Sequence, residues 1–174
     1  VHRTWRTSLV PMNAALARDD DWALFWNGTQ MLGYSGIEGR FVTAPFGASA
    51  VPFRSELCAI AHTPVGYVGF SAVRTTFSPP LAPTTATVRL GTATAILIDG
   101  LQVTGYSASL GSSTTITLNS ATEAVSSTVA TAVENSTGRP FCYTSLLGTW
   151  HASPLNTQPG MPQVTATSIL LQAT

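Results

Sequence analysis

The stretch from Thr84 to Val133 constrains this chain most: TTATVRLGTATAILIDGLQVTGYSASLGSSTTITLNSATEAVSSTVATAV. β-Branched and small residues dominate it, and its only charges are Arg89, Asp99 and Glu123. At its centre Ala95-Ile96-Leu97-Ile98 and Leu101-Gln102-Val103-Thr104 flank Asp99-Gly100. Asp-Gly between apolar runs signals a type I′ hairpin, because both central residues of that turn need φ > 0. The expected pairing sets Ile98 opposite Leu101. Such a stretch folds as antiparallel sheet.

The chain has 174 residues, of which 44% are hydrophobic, enough to bury one core and form a single β domain spanning residues 1–174. Only 9% are charged, against roughly 25% in average soluble proteins. Solubility must then come from Ser, Thr, Asn and Gln on the outer faces of strands. The net charge is zero, and every basic residue is Arg. With no basic cluster there is little field to hold a polyanion, so nucleic acid is not an expected partner. No apolar run reaches the ~18 residues of a membrane-crossing helix, so no membrane insertion is expected. Cys58 and Cys142 are read as reduced core thiols in preference to a lone disulfide, which their spacing does not specify. Val1-His2-Arg3-Thr4-Trp5 has no initiator Met and no signal-peptide pattern. The expectation is therefore a domain excised from a longer protein.

Along the chain, residues 2–10 read as a first strand and Asn13–Arg18 as a short helix. Asp19-Asp20-Asp21 reads as a solvated tip, since consecutive aspartates lack the alternating ligands of a Ca²⁺ loop. Trp22 to Trp26 and Thr29 to Leu32 flank Asn27-Gly28, a second expected type I′ hairpin. Residues 56–61 are either a short helix or a buried strand, and 65–73 alternates as a strand. Ser78-Pro79-Pro80-Leu81-Ala82-Pro83 reads as a break, an extended loop crossing between sheets. Residues 114–118, 124–133 and 141–147 read as further strands. Residues 151–162 form an expected long Pro-rich loop, and 163–172 a closing strand. No repeat of fixed period is apparent. The fold class expected is all-β: an antiparallel β-sandwich or barrel, jelly-roll-like, with long Pro-rich loops and little helix.

Chemistry is sparse. Ser35 and Ser71 lie outside a G-x-S-x-G elbow. Cys58 and His62 would share a face if 56–62 were helical, but a buried thiol beside a structural histidine accounts for them as well. His2, His62 and His151 lack zinc-ligand spacing. The acidic residues are scattered, not paired for glycoside hydrolysis. No phosphate-binding glycine loop is present. The reading is of a protein that is not an enzyme, with no cofactor and no metal. What remains is aromatic surface, each ring weighed against burial in the core: Trp22, Trp26, Tyr34, Tyr106 and Trp150. Asn27-Gly28-Thr29 and Asn135-Ser136-Thr137 match glycosylation sequons.

Thr/Ser-rich strands, few charges, no Lys and proline-rich loops give the whole chain a texture that resembles the protruding (spike) domains of capsid proteins from small non-enveloped RNA viruses. That resemblance implies a compact, commonly dimeric β domain on the virion surface that meets a host receptor or glycan and antibodies. The alternative is a secreted, extracellular carbohydrate-binding module or lectin-like sandwich. In either case recognition should fall on loops at 19–22, 33–40 and 150–158. Tyr34, Trp22 and Trp150 would supply flat faces, and Asp20, Arg40 and Asn156 polar contacts. The charge-poor surface predicts a homodimer.

Overall fold

The structure, a computed structural model, describes residues 7–154 together with 163–164 and 169–170. Among them every regular element is a strand. Strands β1 (Ala15–Arg18), β2 (Trp22–Trp26), β3 (Met31–Ser35) and β4 (Arg40–Ala44) form sheet 1. Sheet 2 holds β5 (Phe53–Arg54), β6 (Cys58–Thr63), β7 (Gly66–Ser71) and β8 (Thr76–Ala82). Sheet 3 holds β9 (Thr87–Leu90), β10 (Thr94–Asp99), β11 (Gln102–Ser107) and β12 (Ser112–Thr117). Sheet 4 holds β13 (Ser120–Val125), β14 (Val129–Glu134), β15 (Pro140–Thr144) and β16 (Thr149–Ala152). A short ladder joins β17 (Gln163–Val164) and β18 (Ile169–Leu170), with β17 lying against β13 and β14. Each four-stranded sheet is an antiparallel meander. The all-β, antiparallel expectation holds.

The sheets pack face to face in chain order, with one core between each pair. Sheets 1 and 2 enclose Trp22, Leu24, Met31, Ala59, Ala61, Val68 and Phe70. Sheets 2 and 3 enclose Cys58, Ile60, Tyr67, Ala95, Leu97 and Tyr106. Sheets 3 and 4 enclose Ile96, Val103, Ala130, Ala132 and Tyr143. A central strand thus feeds two cores: in β6, Cys58 and Ile60 point one way and Ala59 and Ala61 the other. Apolar runs such as Ala95-Ile96-Leu97-Ile98 follow from this, since a strand buried on both faces cannot alternate with polar residues.

A repeat underlies the packing, which corrects the reading that no fixed period exists. Gly-aromatic-Ser recurs at 33–35, 69–71 and 105–107, and the pattern ends in Cys142-Tyr143-Thr144. From the second unit on, each aromatic packs against the preceding sheet's glycine. A Cβ on Gly33 would sit 2.4 Å from Phe70, one on Gly69 2.6 Å from Tyr106, and one on Gly105 2.5 Å from Tyr143. A side chain at any of the three would force the ring above it to move. Four-stranded meanders repeated along a chain and packed on one another are the building plan of β-propellers.

Several local expectations change. Asn13–Arg18 is not helical: Ala15–Arg18 is the edge strand of sheet 1. No strand lies within 7–10, and residues 2–6 fall outside those described. Of the two readings of 56–61, the buried strand is the one that holds, as β6 at Cys58–Thr63. The Pro79-Pro80 break is instead part of edge strand β8, where register shifts beside Val68 absorb the prolines. The 124–133 strand is two strands, β13 and β14, joined by a turn. Asp99 pairs with Gln102 and Ile98 with Val103, so the turn residues are Gly100 and Leu101. Gly100 has φ of 56°, which fits Gly at the first central position of a type II′ turn. The Asn27-Gly28 hairpin exists, but its loop has four residues, 27–30. The Asn27 side chain caps it, accepting from the Thr29 and Gln30 backbone N–H groups at 2.9 and 3.0 Å.

Candidate functional site

The turns at 36–39, 72–75, 108–111 and 145–148, each following the repeat's aromatic-Ser/Thr pair, lie at one end of the molecule. Their local chemistry is repeated. In each, a hydroxyl caps the turn by accepting a backbone N–H: Ser35 from Glu38, Ser71 from Arg74, Ser107 from Leu110 and Thr144 from Leu146. Three of these hydroxyls also donate across to the next sheet, each at 2.5 Å: Ser35 to the Ala72 carbonyl, Ser71 to Ala108 and Ser107 to Ser145. The turns close on a left-handed residue, with φ of 65° at Gly39, 47° at Thr75, 68° at Gly111 and 67° at Gly148. Thr75 is the outlier, since a β-branched residue in that region is strained. Its hydroxyl donates to Glu38 Oε2 at 2.8 Å, tying the second turn to the first.

Polar contacts continue along this end. Arg40 Nε pairs with Glu38 Oε2 at 2.8 Å, and its Nη2 donates to the Arg74 carbonyl at 3.0 Å. Arg74 Nε donates to the Ser109 carbonyl at 2.9 Å. Leu110 packs onto Gly148. Between these groups Ile37, Leu110, Leu146 and Leu147 stand exposed, Leu146 at 69% and Leu147 at 63%. The four turns therefore form a continuous strip of aliphatic side chains interleaved with guanidinium groups.

The residues expected to bind do not converge. Arg40 belongs to the strip, and Asp20 lies at the same end in the β1–β2 turn, its N–H bonded to Asp19 Oδ1 at 2.8 Å. Trp22 is corrected from recognition residue to core residue: it is 2% exposed, and its indole N–H donates to the Ser55 carbonyl at 3.0 Å. Trp150 does not open a loop. It sits in β16 against Tyr143, with ring centroids 5.3 Å apart, and its N–H reaches the Thr114 carbonyl at 3.0 Å. Tyr34 lies on β3, half-buried on the outward face of sheet 1 beside Phe41. Asn156 and most of the expected 150–158 loop lie outside the described residues. Ile37, Arg74, Leu110, Leu146 and Leu147 were missed. The sequence signal for them was the spacing of 36, 36 and 37 residues, which superimposes their turns.

Ser49 Oγ is hydrogen-bonded to His62 Nδ1, but the Ser49 N–H also donates to the His62 carbonyl at 2.8 Å. The pair anchors the 45–52 connection to β6, and Tyr67 packs on the imidazole at 5.4 Å. Cys58 and Cys142 are both free thiols. Burial pushes the Cys58 thiol up to about 11, against a smaller lowering by the Ser55 hydroxyl, so it is a poor nucleophile near neutral pH. Burial also raises Cys142. An open groove of about 280 Å³ runs between β4 and β8, lined mostly by apolar groups including Val42, Phe46 and Phe77. No group of three or more potential metal ligands occurs among the described residues.

No family model and no curated protein matches the chain. Solved structures do resemble it. One is a eukaryotic initiation factor, at TM-score 0.44 and 11% identity, matching 97% of this chain and 51% of that one. Another is BamB from Moraxella catarrhalis, at 0.38 and 14%, matching 92% and 58%. A third is the N-terminal domain of Nup159, at 0.38 and 7%, matching 81% and 42%. The chain thus spans about half the length of the structures it matches, and at these TM-scores the likeness supplies neither a family nor a function.

Proposed function

We propose that this chain is a binding module, not an enzyme, and that it recognises a protein partner through the strip formed by its four repeated turns. The observation that carries this is the exposure of Ile37, Leu110, Leu146 and Leu147 beside Arg40 and Arg74 on turns locked to one another by the Ser ladder. Aliphatic groups for desolvation, with arginines for directed hydrogen bonds, suit a protein interface. Turns already held in place lose little entropy on binding. Attachment of a capsid protruding domain to a host receptor would be one such use; its support is the Thr/Ser-rich, charge-poor texture. A glycan-binding reading has less behind it, because the indole N–H groups of Trp22 and Trp150 are both committed inside the fold.

The test places a photo-activated cross-linker at Leu146 or at Leu101, which is also exposed but lies at the opposite end. A partner captured at Leu146 alone is purified, and its affinity for Leu147→Asp is measured. We expect at least about tenfold weaker binding with an unchanged melting temperature, since Leu147 supports no core. Equal capture at both ends, or unchanged affinity, would sink the reading.

A further inference from the structure

A second surface stands out because the repeat leaves it incomplete. In sheets 2, 3 and 4, the central ring on the face toward the preceding sheet is sealed. Phe70 is 1% exposed, and Tyr106 and Tyr143 are 0%. The same register positions in sheet 1 are Ala23, Phe25, Leu32, Tyr34 and Phe41 on its outward face; Leu32 is buried among its neighbours, but the other four are only half-buried. Leu16, paired with Phe25 on that face, is 53% exposed. Tyr34 is the first member of the aromatic series, and among the described residues no glycine lies beneath it. The Gly36 carbonyl occupies the position at which Ala72, Ala108 and Ser145 accept a serine hydroxyl from the sheet before.

We propose that the outward face of sheet 1 docks a further four-stranded antiparallel sheet of the same repeat, one not present in these 174 residues. Its third strand would offer Gly-aromatic-Ser: the glycine beneath Tyr34 and the serine hydroxyl to the Gly36 carbonyl. The argument is continuity with three interfaces of one design within the molecule. A second copy of this chain does not meet the requirement. Its Gly33, Gly69 and Gly105 already lie under Phe70, Tyr106 and Tyr143. Sheet 4 carries Cys142 where the glycine would be, and a Cβ at that register occupies the space the ring needs.

The probe is a copy of residues 53–90, which contains Gly69, fused ahead of the intact chain with residues 1–14 as the connection. Nitration of Tyr34 by tetranitromethane, mapped by mass spectrometry, reads whether the face is covered. We expect nitration to slow at least about tenfold in the fusion and to return to the rate of the unextended chain when the copy carries Gly69→Val. Three results would overturn the proposal. Tyr34 could react equally fast in the fusion, including through an appended copy that stays unfolded by circular dichroism. It could be protected equally by both copies. Or the unextended chain could protect Tyr34 as it dimerises in sedimentation, which would make a second copy the occupant.

Discussion

At the scale of single residues, the molecule turns on three glycines and the rings above them. The Gly69 position shows what is at stake. A methyl group there would lie 2.6 Å from Tyr106, inside van der Waals contact with a ring that is itself fully buried and has nowhere to move. Gly69→Ala should therefore cost at least ~2 kcal/mol in urea denaturation, at the upper end of overpacking effects. Gly28→Ala, with nothing within 4 Å, should stay within ~0.5 kcal/mol. Equal effects at the two sites would refute the rung geometry. The rings differ in a telling way: the Tyr106 and Tyr143 hydroxyls are buried with no hydrogen-bond partner, whereas the first rung is Phe70. A buried unsatisfied hydroxyl costs ~1–3 kcal/mol. Tyr106→Phe is accordingly expected to be neutral or to stabilise by about 1 kcal/mol, and a loss above that in the same assay would show that the hydroxyl is satisfied after all.

At the scale of elements, strands were legible wherever the local signal and the tertiary demand agreed. Residues 65–73 read as a strand from their alternation, and 95–98 and 101–104 from apolar runs around Asp99-Gly100; both suit a sheet buried on both faces. The prolines of β8 misled because proline signals a break in most contexts, yet an edge strand tolerates it where a bulge removes the need for its N–H. Ala15–Arg18 misled in the opposite direction. Its helix-forming residues are overridden by pairing with Ala23–Trp26. Both hairpins were placed correctly and misregistered, because Asn27 acts through its side chain and Gly100 through a first-position φ, neither of which the dipeptide alone reveals. The repeat itself was present in the letters. Few residues are common to three units, since each core divides its volume differently: Phe25, Ala61 and Leu97 occupy one register. The site followed the same logic. Arg40 could be found from composition, but the exposed leucines could be recognised only once their turns were superimposed. Trp22 and Trp150 looked like recognition residues only because burial is not visible in residue type.

At the scale of the whole molecule, three cores in series distribute the titratable groups unevenly. Cys58 and Tyr106 lie between sheets 2 and 3, and Tyr143 between sheets 3 and 4. Burial raises all three, Cys58 to about 11 and both phenols above their ordinary range. A group whose folded pKa is raised keeps its proton more tightly when folded, so between the unfolded and folded values the native state binds more protons than the unfolded one. Stability then falls as pH rises. For Cys58 the contribution is complete below about pH 9 and is lost as the pH climbs toward 11; the phenols extend the loss above pH 10. That displacement corresponds to something on the order of 3 kcal/mol from the thiol alone. The expected result is a stability that is flat around neutrality as far as these groups are concerned and drops between pH 9 and 11 in urea denaturation. In Cys58→Ala the cavity lowers stability at every pH, but the decline between pH 9 and 10 should shrink, because the group that titrates there is gone. An undiminished decline in that variant would place the alkaline sensitivity outside the core between sheets 2 and 3.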